Sequence, residues 1–306
     1  MKIATLGTGG IGGFLAVKLI LGGFQVVTIA RGQHLKAIKE NGLVLNGPSE
    51  HLVASPWFAT EETKEVGKVD AIILGVKGNN LDEAALACLP MIGENTLVVP
   101  FLNGVEARER LIKIIPAKHV AKGVAQVSTT ISKPGTIKQT GEINKFIFAE
   151  YDNNPSDRIK TLQKAIQSSG SNAPETNDID RELWNKFIFF SALSGVTAAA
   201  RCTIKEITQI EPLSKLYKGV LAETASIARA RKIPIAPTIE EDTWSILQNL
   251  PKDIRASTAI DLENKKPLEI DWISGAVKRL AKEAGVSAPI NAVLYALLLP
   301  YRDGNK

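Results

Sequence analysis

The residues near the N-terminus whose types and spacing best fit a known chemistry are glycines. They form the motif Gly7-Thr8-Gly9-Gly10-Ile11-Gly12, a G-x-G-x-x-G pattern between a predicted strand and a predicted helix. In this context the first glycine permits a tight turn, the second lets a pyrophosphate approach the backbone, and the third lets the helix pack on the strand. Free N–H groups at the start of the helix would then face the phosphates. The motif predicts a dinucleotide-binding site, and a glycine turn without a ligand is the alternative.

The residue after the second predicted strand bears on which dinucleotide is bound. This strand, Phe24–Ala30, is followed by Arg31, which stands 19 residues after Gly12. A site for NAD usually has an acidic residue there to hold the ribose 2′-hydroxyl, whereas an arginine pairs with a 2′-phosphate through a bidentate fork. The sequence therefore favours NADP (NADPH) over NAD, and a solvated surface arginine is the alternative.

The elements that must position this motif alternate between strand and helix. Short apolar runs at Lys2–Leu6, Ala71–Val76 and Thr96–Pro100 are typical of parallel strands covered on both faces, and helical patterns occupy Ile11–Leu21 and Leu81–Leu89. Such alternation predicts a Rossmann-type doubly wound parallel sheet.

The pattern changes after Gly123. Three β runs, Val124–Ile131, Thr136–Gln139 and Lys145–Glu150, are expected to add antiparallel or mixed strands at one edge of the sheet, and a helix is predicted over Ser156–Ser169.

The last third of the chain is almost wholly helical in pattern. The segment Gly170–Asn177 is rich in Ser, Asn and Gly and is the best linker candidate. We therefore predict an NADP-binding domain over 1–176 and an all-helical substrate and catalytic domain over 177–306. The predicted helices of the second domain are Ile179–Ala200, Leu213–Arg231, Thr238–Asn249, Lys252–Lys265 and Leu268–Ala284.

Composition and charge exclude several classes of protein. The 306 residues suit about two domains, and the net charge of +5 comes without the clustered basic run of a nucleic-acid-binding protein. No apolar stretch reaches the length of a membrane helix. The 3 histidines lack Cys or carboxylate partners at ligand spacing, so no metal site is expected. The 2 cysteines are too few for a disulfide framework, which favours a cytoplasmic location.

Several separated motifs occur in one order along the whole chain, and this ordered set resembles the ketopantoate reductase (2-dehydropantoate 2-reductase) family, as a divergent branch. The resemblance implies NADPH-dependent reduction of ketopantoate to pantoate for pantothenate and coenzyme A synthesis. It is also compatible with a homodimer formed through the helical domain. The motifs are Gly7–Gly12 with Arg31, Gly75-Val76-Lys77, Asn103-Gly104-Val105-Glu106, Glu182-Leu183-Trp184-Asn185-Lys186, Ser257, and Leu268-Glu269-Ile270-Asp271.

The resemblance implies a catalytic role for two of these residues. Lys186 matches the family's catalytic lysine, whose ammonium stabilises the developing oxyanion and donates the proton. Glu269 matches the acid that contacts the substrate hydroxyl, assists the lysine and adjoins the cofactor. A solvated helix lysine and a first-turn helix glutamate are the respective structural alternatives.

The resemblance also implies binding roles. Asn103 is expected between cofactor and substrate, Lys77 beside the cofactor, and Ser257 and Ser194 on the substrate together with Lys186. An Asn-Gly turn would explain Asn103 without a ligand, and a serine bonded back to its own helix would explain Ser257.

The chain departs from the family pattern at the two positions where asparagines commonly follow the lysine. Four residues after Lys186 stands Phe190, and eight residues after it stands Ser194. Both positions share the lysine's helix face. A phenylalanine there would remove a hydrogen bond to the substrate and favour the neutral form of Lys186. Alternatively, Phe190 turns into the core.

Three functional hypotheses remain open from the sequence. The first is reduction of ketopantoate. The second is reduction of another branched or aromatic 2-keto acid by the same Lys186 and Glu269, which Phe190 motivates. The third is a dinucleotide sensor without catalysis, against which the presence of both Lys186 and Glu269 counts.

Overall fold

A computed structural model describes residues 1–304, and the chain divides into two compact units. The first comprises Met1–Leu102 and Ala107–Ile179, and the second comprises Asn103–Glu106 and the chain from Asp180 onwards. The division falls near the predicted linker, but the four-residue segment Asn103–Glu106 groups with the helical unit although it follows a strand of the first.

The first unit contains strands and helices in alternation. Its helices are α1 (Gly10–Leu21), α2 (Gly32–Asn41), α3 (Leu81–Cys88), α4 (Ala107–Leu111) and α5 (Asp157–Ser168), with short 3₁₀ turns at Thr63–Glu65, Gly78–Asn80, Leu89–Met91 and Ala117–His119. Its strands are β1 (Lys2–Leu6), β2 (Gln25–Ile29), β3 (Leu43–Asn46), β4 (His51–Ala54), β5 (Phe58–Thr60), β6 (Val69–Leu74), β7 (Ile92–Pro100), β8 (Lys122–Lys133) and β9 (Thr136–Ala149).

Five of these strands form a parallel sheet in the order β5-β2-β1-β6-β7. The predicted Rossmann-type doubly wound sheet is confirmed. The direction of the order reverses between β1 and β6, and sheets of this kind bind ligands beyond the carboxyl ends of the strands at that point. The glycine motif follows β1, and Gly75-Val76-Lys77 follows β6. The topology thus brings two of the sequence motifs to one edge of the sheet.

The predicted placement of the later strands is wrong. They do not extend the edge of the parallel sheet but form a second sheet in the order β4-β3-β9-β8. Two long antiparallel strands, β8 and β9, replace the three predicted runs, because Gly141 (φ +73°) lies inside β9 instead of ending a strand. Phe146 of β9 stacks on Phe14 of α1 with ring centroids 5.8 Å apart. Helix α1 is therefore covered by β9 as well as by the parallel sheet, which explains its nearly continuous apolar sequence.

The second unit is helical, as predicted, and its helices pack around an apolar core of their own. The helices are α6 (Ile179–Ala199), α7 (Ile204–Gln209), α8 (Glu211–Ala230), α9 (Ile239–Asn249), α10 (Ser257–Glu263), α11 (Ser274–Ala284) and α12 (Pro289–Leu298), with 3₁₀ turns at Ile270–Trp272 and Leu299–Tyr301. Helices α7 and α12 were not predicted.

The predicted helix over Leu268–Ala284 is wrong in its first third. A 3₁₀ turn, Ile270–Trp272, is followed by a non-helical Ile273 (φ −113°, ψ −96°), and α11 begins only at Ser274. Glu269 therefore precedes a turn instead of standing inside a helix. The apolar stripe continues across the break because Ile270, Trp272 and Ile273 are all buried, so the sequence pattern does not reveal it.

Among residues 1–304, no helix is long and apolar enough to cross a membrane. In the same range, no group of three or more His, Cys, Asp and Glu side chains is arranged to hold a metal ion. Cys88 and Cys202 are both free and buried.

Candidate functional site

The glycine motif forms a tight turn between β1 and α1. Gly7 has a positive φ of +81°, and a Cβ there would lie 2.6 Å from Cγ1 of Val76. A Cβ on Gly12 would collide with the carbonyl oxygen of Gly7, and one on Gly10 would lie 2.6 Å from the carbonyl oxygen of Thr129. Packing within the protein therefore explains three of the four glycines.

Gly9 is different, because a Cβ on this residue would meet no atom nearer than Cδ1 of Ile131 at 3.9 Å. Its φ of −85° is also open to other residues. The space beside Gly9 is where a pyrophosphate approaches the backbone in such motifs, and the N–H groups of the first turn of α1 lack acceptors within their own helix. The turn therefore fits the dinucleotide that its sequence predicts.

Hydrogen bonds of Thr8 and His34 support the glycine turn. The hydroxyl of Thr8 is buried and lies within hydrogen-bond distance of the carbonyl oxygens of Thr5 (3.1 Å) and Ile29 (3.0 Å). Nε2 of His34 donates to the Thr8 carbonyl at 2.7 Å, and Nδ1 accepts from the N–H of Gly135 at 3.0 Å. These partners assign a neutral tautomer. His34 was not singled out from the sequence, because its partner Gly135 is remote along the chain.

Arg31 lies two residues beyond the end of β2 and is exposed. Its Nη2 pairs with Oε1 of Glu83 at 2.5 Å, and both side chains are largely in solvent, where such a pair is easily exchanged for a stronger anion. Glu83 raises the pKa of Arg31 further, so the guanidinium is always charged. Lys77 is exposed and follows the strand β6, on the same sheet edge as the glycine turn.

In the second unit, three predicted residues from distant parts of the chain meet. Nζ of Lys186 on α6 donates to Oδ1 of Asn103 at 3.2 Å, and Nδ2 of Asn103 donates to Oε2 of Glu269 at 3.4 Å. Glu269 is only 8% exposed, and the other two side chains are half-buried. We call these three residues the lysine cluster.

The surroundings of Lys186 lower its pKa. Burial lowers the pKa of Lys186 to about 8, and the nearby carboxylate of Glu269 offsets part of that fall. An amine with a pKa near 8 exchanges its proton readily at neutral pH, as a general acid or base must. An ordinary solvated lysine, the alternative for this residue, does not have these surroundings.

Phe190 lies beside the lysine cluster and not in the core. Its ring centroid lies 5.7 Å from Nζ of Lys186, and the side chain is half-buried. The neighbouring Phe187 takes the core position instead and packs edge-on against Trp184, with ring centroids 5.7 Å apart. Lys186 therefore has an aromatic ring beside it at the position where the resemblance predicts an amide.

The two predicted serines differ in their surroundings. Ser194 is buried and donates to Oγ1 of the buried Thr258 at 2.7 Å, whereas Ser257 is exposed at the first position of α10. The hydroxyl pair ties α6 to the start of α10 and so fixes where Ser257 stands. Thr258 was not singled out from the sequence, in which no signal distinguishes it from other helix threonines.

Arg201 is a further cation of the second unit, and it stands beyond the far end of α6, with φ +52°. The helix rises about 1.5 Å per residue, which separates the backbones of Arg201 and Lys186 by roughly 20 Å. Arg201 is thus remote from the lysine cluster.

Comparison with known proteins identifies the family. The family model described as ketopantoate reductase PanE/ApbA matches residues 3–153, and its C-terminal counterpart matches residues 178–302. The chain belongs to the ketopantoate reductase family. The protein is accordingly an oxidoreductase of the ketopantoate reductase type, as the ordered motifs predicted.

Two relatives span nearly the whole chain. An uncharacterized oxidoreductase, YkpB of Bacillus subtilis, is 24% identical over 98% of this chain and 99% of its own length. A 2-dehydropantoate 2-reductase of Mesorhizobium japonicum is 29% identical over 96% of both chains.

Two solved structures share the fold. A PanE/ApbA family ketopantoate reductase from Ralstonia eutropha superimposes with a TM-score of 0.90 at 26% identity, covering 99% of this chain and 98% of its own. A D-mandelate dehydrogenase, solved with NADH and anilino(oxo)acetate, has a TM-score of 0.90 at 24% identity over the same shares. A D-mandelate dehydrogenase thus shares the fold of this chain.

Proposed function

We propose that the protein is an NADPH-dependent 2-keto acid reductase that converts ketopantoate (2-dehydropantoate) to pantoate, as a step towards pantothenate and coenzyme A. The observation that carries the proposal is the lysine cluster, in which Lys186, with its pKa lowered to about 8, is held by Asn103 beside Glu269. Membership of the ketopantoate reductase family supports the substrate.

The cofactor side of the proposal rests on the first unit. The turn at Gly9 would hold the pyrophosphate and Arg31 the 2′-phosphate, with Lys77 on the same sheet edge. Bound NADPH supplies the hydride. The preference for NADPH over NADH rests on Arg31, because this cation stands where an NAD site has an acid.

The proton-transfer part of the proposal rests on the second unit. As an ammonium, Lys186 stabilises negative charge on the substrate's keto oxygen and then transfers its proton to that oxygen, which leaves a neutral amine and the hydroxy acid. Asn103 accepts one N–H of the ammonium and so restricts the direction of the others. Glu269 keeps the charged form populated before the reaction, and its carboxylate would accept the hydrogen bond from a substrate hydroxyl that the family resemblance implies.

A second candidate substrate is an aromatic or branched 2-keto acid. The observation that favours it is Phe190, whose ring centroid lies 5.7 Å from Nζ of Lys186, where the family resemblance implies a hydrogen-bonding amide. An apolar ring gains from contact with an apolar substrate side chain and offers no hydrogen bond to the hydroxyl of ketopantoate. The same proton donor serves both substrates.

The deciding experiment compares kcat/KM for ketopantoate, 2-ketoisovalerate and phenylglyoxylate, with NADPH oxidation followed at 340 nm. A strong preference for ketopantoate is the expected result. Preference for phenylglyoxylate would replace the first substrate by the second. In that case Phe190→Asn should move the preference towards ketopantoate, while the apolar control Phe190→Leu should not. Tight NADPH binding without turnover of any acid would contradict both and favour a dinucleotide sensor.

A further inference from the structure

The lysine cluster depends on two short backbone segments that lie outside the α-helices. One is the segment Asn103–Glu106, which holds Asn103 at its start, and the other is the turn after Glu269, Ile270–Trp272. Neither segment gains rigidity from a long hydrogen-bonded ladder, so other contacts must fix their separation.

The two segments approach each other closely at Gly104. Gly104 has a positive φ of +93°, and a Cβ there would lie 2.8 Å from the carbonyl oxygen of Trp272. This close approach places Asn103 next to the turn of Glu269. The hydrogen bond between the two side chains is long, at 3.4 Å, and by itself holds them weakly.

Arg279 on α11 joins the same two segments. Its Nη2 donates to Oε2 of Glu106 at 2.6 Å and to the carbonyl oxygen of Asp271 at 2.9 Å. One nitrogen therefore bonds both the end of the Asn103 segment and the middle of the Glu269 turn. The Glu106 side chain is largely buried, which strengthens the ion pair relative to one in open solvent.

We propose that Arg279 is a positioning residue, which holds the segment of Asn103 and the turn of Glu269 at the separation that the lysine cluster requires. Only the expected effect of Arg279 on turnover rests on the proposed function. The two hydrogen bonds of Arg279 described above go to these segments, and Arg279 acts on the lysine cluster through them.

The structure offers a matched control in the same unit. Arg229 pairs with Glu240 at 2.6 Å and also donates to a backbone carbonyl, that of Pro237, at 3.2 Å. Its exposure is close to that of Arg279, 42% against 39% for the side chain. Arg229→Ala removes an ion pair and a carbonyl contact of the same kind without touching either segment.

The experiment measures kcat, the Kd of NADPH, the Tm and the pKa of Lys186 in Arg279→Ala, Arg279→Lys and Arg229→Ala. The pKa comes from competitive acetylation of Lys186 across a pH series, read by mass spectrometry, and needs no substrate. We expect Arg279→Ala to lower kcat by about ten- to a hundredfold, the cost of a small misplacement of a catalytic group. The Kd of NADPH should change far less than kcat, because the glycine turn is untouched.

The pKa of Lys186 should fall below the wild-type value in Arg279→Ala, because the carboxylate of Glu269 would no longer be held near the ammonium. Arg279→Lys should lie between wild type and Arg279→Ala, and Arg229→Ala should lower only the Tm. An unchanged pKa of Lys186 in Arg279→Ala would overturn the proposal. If Arg279→Ala fails to fold, Arg279→Lys decides, and a wild-type kcat and pKa there would also overturn it. Absence of turnover in the wild type would contradict the proposed function, while the acetylation result would still test Arg279.

Discussion

The glycine turn of the first unit and the lysine cluster of the second are built in different ways. The turn is made of backbone: consecutive residues between β1 and α1 create the space, and helix N–H groups line it. The cluster is made of side chains from α6, from the segment Asn103–Glu106 and from the turn after Glu269. A backbone site owes its properties to local conformation, whereas the pKa of Lys186 depends on what distant segments place around it. Changes in the turn should therefore alter cofactor affinity, and changes in the cluster should alter turnover.

The strongest test of this contrast is Lys186→Ala. Loss of the proton donor should lower kcat by about 10²- to 10⁴-fold, with the Kd of NADPH unchanged because the turn is intact. Steady-state kinetics and fluorescence titration of NADPH measure the two effects. Lys218 is a suitable control, because its ammonium also lies over an aromatic ring, that of Trp244 at 4.4 Å, but on the exposed surface. Turnover of Lys186→Ala equal to that of Lys218→Ala would remove the lysine from the mechanism.

The corresponding change in the first unit is Arg31→Asp. It should weaken NADPH binding by about ten- to a hundredfold, the scale of a lost charged hydrogen bond, and leave NADH binding nearly unchanged. Glu83→Gln is the control, since it removes the ion pair with Arg31 but keeps the cation. We expect this variant to bind NADPH at least as tightly as the wild type. An unaltered preference between NADPH and NADH in Arg31→Asp would contradict the assigned cofactor.

The pH dependence of turnover should reflect the protonation state of Lys186 in the lysine cluster and not the glycine turn. With a pKa of about 8, Lys186 is an ammonium at neutral pH and loses its proton as the pH rises through 8. The rate of keto acid reduction should therefore fall about tenfold per pH unit above that value, while oxidation of the hydroxy acid should rise through the same range. Phe190→Asn makes the surroundings more polar and should move the falling limb to higher pH. A limb that stays in place in this variant would mean that Phe190 does not affect the lysine.

The smallest expected effect is that of Gly9→Ala, and it sharpens the distinction between folding and binding. There is room for the added methyl group in the protein, so the Tm should hardly change, while NADPH should bind several-fold more weakly. Gly7→Ala is the contrasting variant, because its positive φ and the contact with Val76 should lower the Tm clearly. Wild-type NADPH affinity in Gly9→Ala would mean that the pyrophosphate lies elsewhere.

How far each region could be predicted from the sequence follows the same contrast. The turn and the parallel sheet were predictable, because a local motif and alternating apolar runs encode them. The break at Ile273 was not, because the apolar stripe runs through it and the contact of Gly104 with the Trp272 carbonyl joins remote parts of the chain.

The sequence marked Phe190 as a candidate site residue but did not decide where its side chain lies. Helical spacing placed it on the face of Lys186, yet neighbouring phenylalanines made a core position equally suitable. In the structure Phe187 packs against Trp184 in the core, and Phe190 lies beside the ammonium of Lys186. For the cofactor turn, by contrast, residue types alone sufficed to name the candidate residues.

The segment Asn103–Glu106 has a consequence for how such chains can be divided and recombined. The chain passes from one unit to the other at 102/103, at 106/107 and again at 179/180. A fragment cut at the last of these points would carry Lys186 and Glu269 but neither Asn103 nor Glu106. The two units therefore cannot be exchanged between enzymes as two continuous pieces of chain. A chimaera that receives a new helical unit must also receive the matching segment Asn103–Glu106, which lies within the sequence of the first unit.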